Sequence, residues 1–302
     1  MASGITARME CWSVNPSLLI LLTGLLHTVT AVEIKLDMAP DAVDDTFSEC
    51  RDKMMQNVTA PGGLLQEELE ASKDFKELWS RHGGTCQKQI YGGQAHHLAA
   101  LQAYGNSREQ FRQKFNGLVQ TKGSNSTTYI NEFPFKSLHF LLTDALRLLN
   151  PGKTCSTVYF GTKKQYTAEN GTEVRFGRFI GASIHKSYET EQIVTEEEGT
   201  LFKIMSCSVV NVENYTCNSE EIERLISPTE VFRVQNIEAD STEDVDYKII
   251  TLTHSRFLSN HDCYLFPRPL GGSSNPLLSS MVLALMLSFL SLYYCTITHP
   301  SV

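Results

Sequence analysis

No Gly-rich phosphate loop is found in this 302-residue chain. Neither G-x-G-x-x-G nor G-K-[S/T] follows a run that reads as a strand, which excludes dinucleotide binding of the Rossmann kind and nucleotide binding of the Walker kind. Positive charge is in deficit: 26 Lys and Arg against 34 Asp and Glu leave a net charge of -8. With no basic stripe to neutralise phosphates, a nucleic-acid partner is excluded. The nine histidines are scattered, and the one adjacent pair, His96-His97, diverges on a helix, so no metal site is expected. Internal repeats and low-complexity linkers are missing from residues 32–268, and one domain is the economical reading. At 41% apolar residues the chain has enough material for one sizeable core.

Long apolar runs occur only near the two ends. Residues 1–31 carry Arg8, an apolar run from Leu18 to Leu26 and the small residues Thr28, Thr30 and Ala31, the pattern of a secretory signal peptide. Residues 269–302 place the small-residue cluster Gly271, Gly272, Ser273, Ser274 and Asn275 before an apolar tail over 277–297. That is the pattern of a glycosylphosphatidylinositol (GPI) attachment signal, whose tail is removed on anchoring; a single tail-anchored span is the alternative. Of eight cysteines, Cys11 and Cys295 fall in these end segments. Six remain for an oxidising compartment, enough for three disulfides, with the pairing open. Sequons at Asn57, Asn125, Asn170 and Asn214 point to the same extracellular setting.

Between the ends the texture changes once. Apolar periodicity predicts helices over 41–58, 64–81, 93–104, 109–119 and 133–149, with a polar loop over 121–131. After Asn150-Pro151-Gly152, short β-rich runs take over at 156–160, 174–180, 201–208, 224–226, 231–237 and 248–253, and another short strand is expected at 32–36. Helices first and strands after, without βαβ alternation, indicate an α+β domain over 32–268.

One stretch carries chemistry. In EEIERLISPTEVF (220–232), Glu221 and Glu223 stand two apart at the start of a predicted strand, where period-two geometry places both carboxylates on one face. Such a pair can stabilise positive charge developing on a sugar ring while steering an incoming nucleophile. The motif alone also fits a solvated strand edge.

That run resembles the E-x-E-V-L-I-P-P-x-E-V-F block of the vertebrate ecto mono-ADP-ribosyltransferases. TVYFGTKKQ (157–165), EVRFGRFIGASI (173–184), FPFKSLHFLLTDALRLL (133–149) and LDMAPDAVDDTFSEC (36–50) are similar to further segments of that family, in the same order. The resemblance implies a helical N-terminal lobe beside two facing β-sheets that clasp NAD or NADP. It implies transfer of ADP-ribose from NAD to arginine on surface or secreted proteins, with no metal and with the membrane reached through a GPI anchor. Glu223 is then the catalytic acid and Glu221 the selector of an arginine acceptor. Tyr104, Phe160, Arg178, Gly181, Ser183 and Thr216 occupy NAD-site positions, and the implied disulfides are Cys50–Cys263 and Cys155–Cys207, leaving Cys86 and Cys217 over. Two positions depart from the pattern: Phe160 stands where the family has Arg, and Gly181 where it has the first Ser of Ser-x-Ser. A phenyl ring makes none of the bidentate bonds of a guanidinium, and glycine has no hydroxyl to orient a carboxylate. A weakened transferase and a catalytically silent GPI-anchored binding protein are the two functions these departures leave open.

Overall fold

The computed structural model describes residues 33–80, 88–193, 198–216, 222–242 and 246–266. The end segments read as signal and attachment sequence, Cys86, Cys217 and Glu221 lie outside them. No helix among the described residues is long and apolar enough to cross a membrane.

The helices come first. They are α1 (Arg51–Thr59), α2 (Leu64–Ala71), α3 (Lys73–Ser80), α4 (Ala95–Gly105), α5 (Glu109–Thr121), α6 (Ser126–Glu132) and α7 (Lys136–Leu149). The centre of this lobe is α7, buried from Lys136 through Leu146, because the KSLHFLLTDALRLL sequence is apolar on nearly every side. Phe140, Leu141 and Leu142 there are fully enclosed, each contributing about 1.5–3 kcal/mol of burial. Its first turn begins after Pro134 and is capped by a distant residue. The Glu68 carboxylate accepts the N–H groups of Lys136 (2.8 Å) and Ser137 (3.0 Å).

The strands are β1 (Ile34–Lys35), β2 (Ser156–Thr162), β3 (Tyr166–Thr167), β4 (Glu173–Arg175), β5 (Ile180–Ala182), β6 (Glu198–Ser206), β7 (Val210–Asn211), β8 (Arg224–Ile226), β9 (Glu230–Ser241) and β10 (Asp246–Phe257), with a short helix α8 (Lys186–Glu191) between β5 and β6. A five-stranded sheet runs β2-β6-β10-β9-β4, and a three-stranded sheet runs β5-β8-β7. The pair β6/β10 is parallel, and the other pairs in these two sheets are antiparallel. Tyr159 and Ser183 bridge the two sheets through both backbone hydrogen bonds, 2.8 and 2.9 Å. The α+β order expected from the sequence is what the structure has.

Two cores meet at a seam. Phe179 packs into the helical core and its neighbour Ile180 into the core of the sheets, so the segment 178–181 runs along the junction.

Several boundaries differ from expectation. The predicted helix 41–58 begins only at Arg51. Ala39 and Phe47 have φ of 44° and 56°, which no helix tolerates. Asp44 and Asp45 use their carboxylates elsewhere: Asp44 accepts the N–H groups of Asn260 and His261, Asp45 those of Phe47 and Cys263. The helix expected over 64–81 is broken at Ser72, which is extended (φ −130°, ψ 107°). The loop expected over 121–131 contains α6, because the Asn125 side chain caps it by accepting from Thr128 N–H at 2.9 Å. The single strand expected over 174–180 is two strands, parted at Gly177, where φ is 63° and an added Cβ would collide with Ala39 and Ala42.

The segment that is not helical forms a clamp joining the ends of the domain. Arg175 and Asp44 make a fully buried ion pair at 2.7 Å, and Arg175 also donates to the carbonyls of Met38 and Ala39. The Cys50–Cys263 disulfide closes this clamp across 213 residues, and Cys155–Cys207 ties β2 to the end of β6. Both pairings are those the resemblance implies. In the chain-entropy account a closed loop of the first size is worth about 5 kcal/mol.

Candidate active site

Glu223 sits one residue before β8, at the seam. Its Oε2 accepts from the Ser183 hydroxyl at 2.7 Å and from the Ile184 N–H at 3.1 Å. The Ser183 hydroxyl in turn accepts the His185 N–H at 3.0 Å, which leaves its proton aimed at the carboxylate. The Glu223 carbonyl accepts the Val212 N–H at 3.0 Å, fixing the backbone from the other side. Oε1 faces the Arg224 guanidinium at 3.1 Å. With its side chain 23% exposed, the carboxylate is anchored yet reachable.

Phe160 follows Tyr159, whose bridge to Ser183 joins the two sheets. The Phe160 ring stacks on Phe202 (centroids 5.7 Å apart, planes 9° off parallel) and meets Phe176 edge-on. On the other side of the seam the Arg178 guanidinium lies 5.7 Å from the Phe160 ring centroid, a cation–π contact. Among the described residues Arg178 has no carboxylate within ion-pair distance, so its charge is uncommitted. Gly181 pairs with Leu225 in the small sheet, and the atoms nearest to an added Cβ would be those of the Ile222 side chain, at 3.5–3.8 Å, ordinary van der Waals contact.

Tyr104 and Thr216 are both buried. Tyr104 is 2% exposed, and its hydroxyl accepts from Asn116 Nδ2 at 2.9 Å. Asn116 Oδ1 accepts the Phe179 N–H, so the tyrosine steadies the segment that carries Arg178. Thr216 is equally buried, packed on Gly105 with its hydroxyl donating to the Glu213 carbonyl. Glu221 falls outside the described residues, so the one-face pairing expected for the two glutamates has no counterpart here. Of the sequon asparagines, Asn170 is exposed in a turn, Asn214 is exposed in a short 3-10 helix (Glu213–Tyr215), Asn57 lies on α1, and Asn125 caps α6.

Three nearby groups were not legible in the sequence. Glu189 on α8 is buried, and its Oε2 accepts the Gly161 N–H at 2.7 Å, directly after Phe160. Burial pushes its carboxyl up to about 7 against the pull of that N–H, and the negative charge of Glu223 adds to the rise. Arg224 is the second. Glu230, in the same EVF run, is a structural hub: it accepts from Ser206, Ser208, the Cys207 N–H and His254. Cys207 and Cys263 each stand beside carboxylates in a ligand-like cluster, but both sulfurs are spent in disulfides. Nor is His97 open to a metal: Nδ1 accepts the Gln94 N–H and Nε2 donates to Asp144. A cavity of about 480 Å³ near the clamp, lined by Arg51, Thr143, Arg147 and Phe257 among others, contains none of the seam residues.

A carboxylate fixed by a hydroxyl and a backbone N–H, with a guanidinium stacked on an aromatic face on the adjoining segments, suits a substrate that carries phosphates and develops positive charge on a sugar. The family of NAD:arginine ADP-ribosyltransferases matches residues 36–255. The erythroblast NAD(P)(+)--arginine ADP-ribosyltransferase of Gallus gallus is 32% identical over 239 residues, covering 76% of each chain. The GPI-linked NAD(P)(+)--arginine ADP-ribosyltransferase 1 of Mus musculus is 32% identical over 68% of this chain and 66% of its own length. Among solved structures, a variant of the eukaryotic mono-ADP-ribosyltransferase ART2.2 in complex with NAD superposes with a TM-score of 0.59 at 28% identity, over 76% of this chain and 98% of that one.

Proposed function

Since the chain belongs to the NAD:arginine ADP-ribosyltransferase family, we propose that it transfers ADP-ribose from NAD to arginine side chains of surface or secreted proteins. The observation that carries this reading is Glu223, held at the seam by Ser183 and the Ile184 N–H. The bond from ribose C1′ to the nicotinamide nitrogen breaks, and nicotinamide leaves with the electron pair. The positive centre left on the sugar is stabilised by the Glu223 carboxylate, which also accepts a hydrogen bond from a ribose hydroxyl. A guanidine nitrogen of the acceptor then bonds to C1′ and gives up a proton. Arg178 supplies charge to the diphosphate in place of an arginine at 160, and Glu221 selects the arginine acceptor. The missing hydroxyl at 181 makes the reaction slow.

The same reading places the protein at the extracellular face of the plasma membrane, GPI-anchored near Gly271–Asn275, in keeping with the ecto and GPI-linked names of its relatives. Phosphatidylinositol-specific phospholipase C should release it from expressing cells, and retention would argue for a membrane span.

Catalysis is tested by incubating the protein with NAD and agmatine and following nicotinamide release and ADP-ribosyl-agmatine by mass spectrometry. Slow product formation by the wild type, abolished in Glu223→Gln, is expected. Bound NAD with no product from the wild type would assign the chain to the silent binding class instead.

A further inference from the structure

Both oxygens of the Glu223 carboxylate at the seam already have partners. Ser183 and the Ile184 N–H occupy Oε2, and the Arg224 guanidinium occupies Oε1 at 3.1 Å. The first two contacts are compatible with the chemistry, since they orient the group through neutral donors. The third is of another kind. A full positive charge on Oε1 offsets the charge that an oxocarbenium-like centre needs, and it competes for the oxygen to which a ribose hydroxyl would donate.

The contact is also local. Arg224 Nη1 donates to the carbonyl of Glu223 at 3.3 Å, so the guanidinium folds back over the residue before it and engages no other carboxylate among the described residues. In a regular strand neighbouring side chains point to opposite faces. The two meet because Glu223 precedes β8, where alternation has not begun. The arginine is 16% exposed, at the edge of the cleft, and nothing in β8 requires its head group where it is, since its strand pairing to Ala182 and Asn211 is by backbone.

We propose that Arg224 is an intramolecular lock on Glu223: its guanidinium neutralises the catalytic carboxylate in the free protein, and turnover requires it to swing off Oε1. The lock rests on the assignment of Glu223 given above. It makes the transferase self-limiting, because each productive encounter must first break a charge-assisted contact that is half shielded from water.

The test is the rate of nicotinamide release and agmatine modification by the full mature chain carrying Arg224→Val or Arg224→Lys, with Glu223→Gln as control, together with a crystal structure of the wild type soaked with NAD. Arg224→Val should raise kcat/KM about tenfold, mainly through kcat, and Arg224→Lys, which keeps the charge, should stay near the wild type. A merely structural arginine would give the opposite order, with valine the more damaged variant. In the soaked crystal the Arg224–Glu223 contact should be broken and Oε1 should accept from the ribose. An unchanged or slower Arg224→Val with Glu223→Gln inactive would overturn the lock and leave the transferase reading standing. An intact ion pair beside bound NAD would also overturn it. No turnover in any variant would overturn both.

Discussion

At the clamp, Arg175 and Asp44 are sealed from solvent, and the carboxylate oxygens and guanidinium hydrogens facing inward are matched by Met38, Ala39, Asn260 and His261. At the seam, Arg178 rests on a phenyl ring with no carboxylate partner among the described residues, Glu223 is part exposed, and Glu189 holds a carboxyl whose burial raises it to about 7. Both regions are rich in charge, and they use it differently. The clamp spends its charges on one another to tie the chain ends together, so it is insensitive to ligand. The seam leaves charge unbalanced, which lowers stability and gives an anionic, positively polarising substrate something to bind. Motif letters alone do not separate the two uses: Arg175 and Arg178 stand three apart in one motif.

The largest effect belongs to the clamp. Asp44→Ala strands a buried guanidinium, and by urea denaturation it should cost about 3–5 kcal/mol while folded molecules keep their transfer rate. A change in rate per folded molecule, with stability intact, would show that the regions are not separable in this way. At the seam, Phe160→Arg with Gly181→Ser should raise agmatine transfer about a hundredfold by restoring positioned charge and hydroxyl. If Arg178 already supplies what an arginine at 160 would, most of that gain will come from Gly181→Ser alone, which sharpens the comparison.

The α+β order was legible because the helical periodicity stops at Pro151 and short β-rich runs follow it. The stretch 41–50 was not, since Asp44 and Asp45 act on backbone more than 200 residues away, and local periodicity carries no trace of that. The helix within 121–131 was hidden by composition: polar Ser, Thr and Asn read as loop, yet Asn125 caps a turn that buries Tyr129. At the site, the resemblance named Glu223, Ser183, Phe160 and Gly181 as functional positions; a hydrogen bond joins Ser183 to Glu223, and the bridge between Tyr159 and Ser183 sets the strand that carries Phe160 against that segment. Tyr104 and Thr216 were named with them and are buried, their hydroxyls bonded to Asn116 and to the Glu213 carbonyl. Glu189 and Arg224 escaped because their roles depend on which atom of a neighbour they reach, and spacing does not encode that.

A smaller effect concerns pH. The Glu189 carboxyl is raised to about 7 in the folded protein from 4.5, so between those values the unfolded chain has lost a proton that the folded one keeps. Stability therefore falls as pH rises through this window, with the full penalty present above about 7. Glu189→Gln should remove that slope, gaining about 3 kcal/mol over wild type at pH 8 and little near pH 4.5, measured by denaturation at each pH. A constant difference between the two proteins across the range would mean that Glu189 does not titrate as its burial beside Gly161 requires.

The account turns on a seam that binds NAD with its cation moved from 160 to 178, and isothermal titration of the mature protein with NAD tests this most directly. Wild type should bind, and Arg178→Ala should weaken the affinity about tenfold, as expected for losing one charge-assisted contact to phosphate. Equal affinity in the two proteins, or no binding by the wild type, would contradict it.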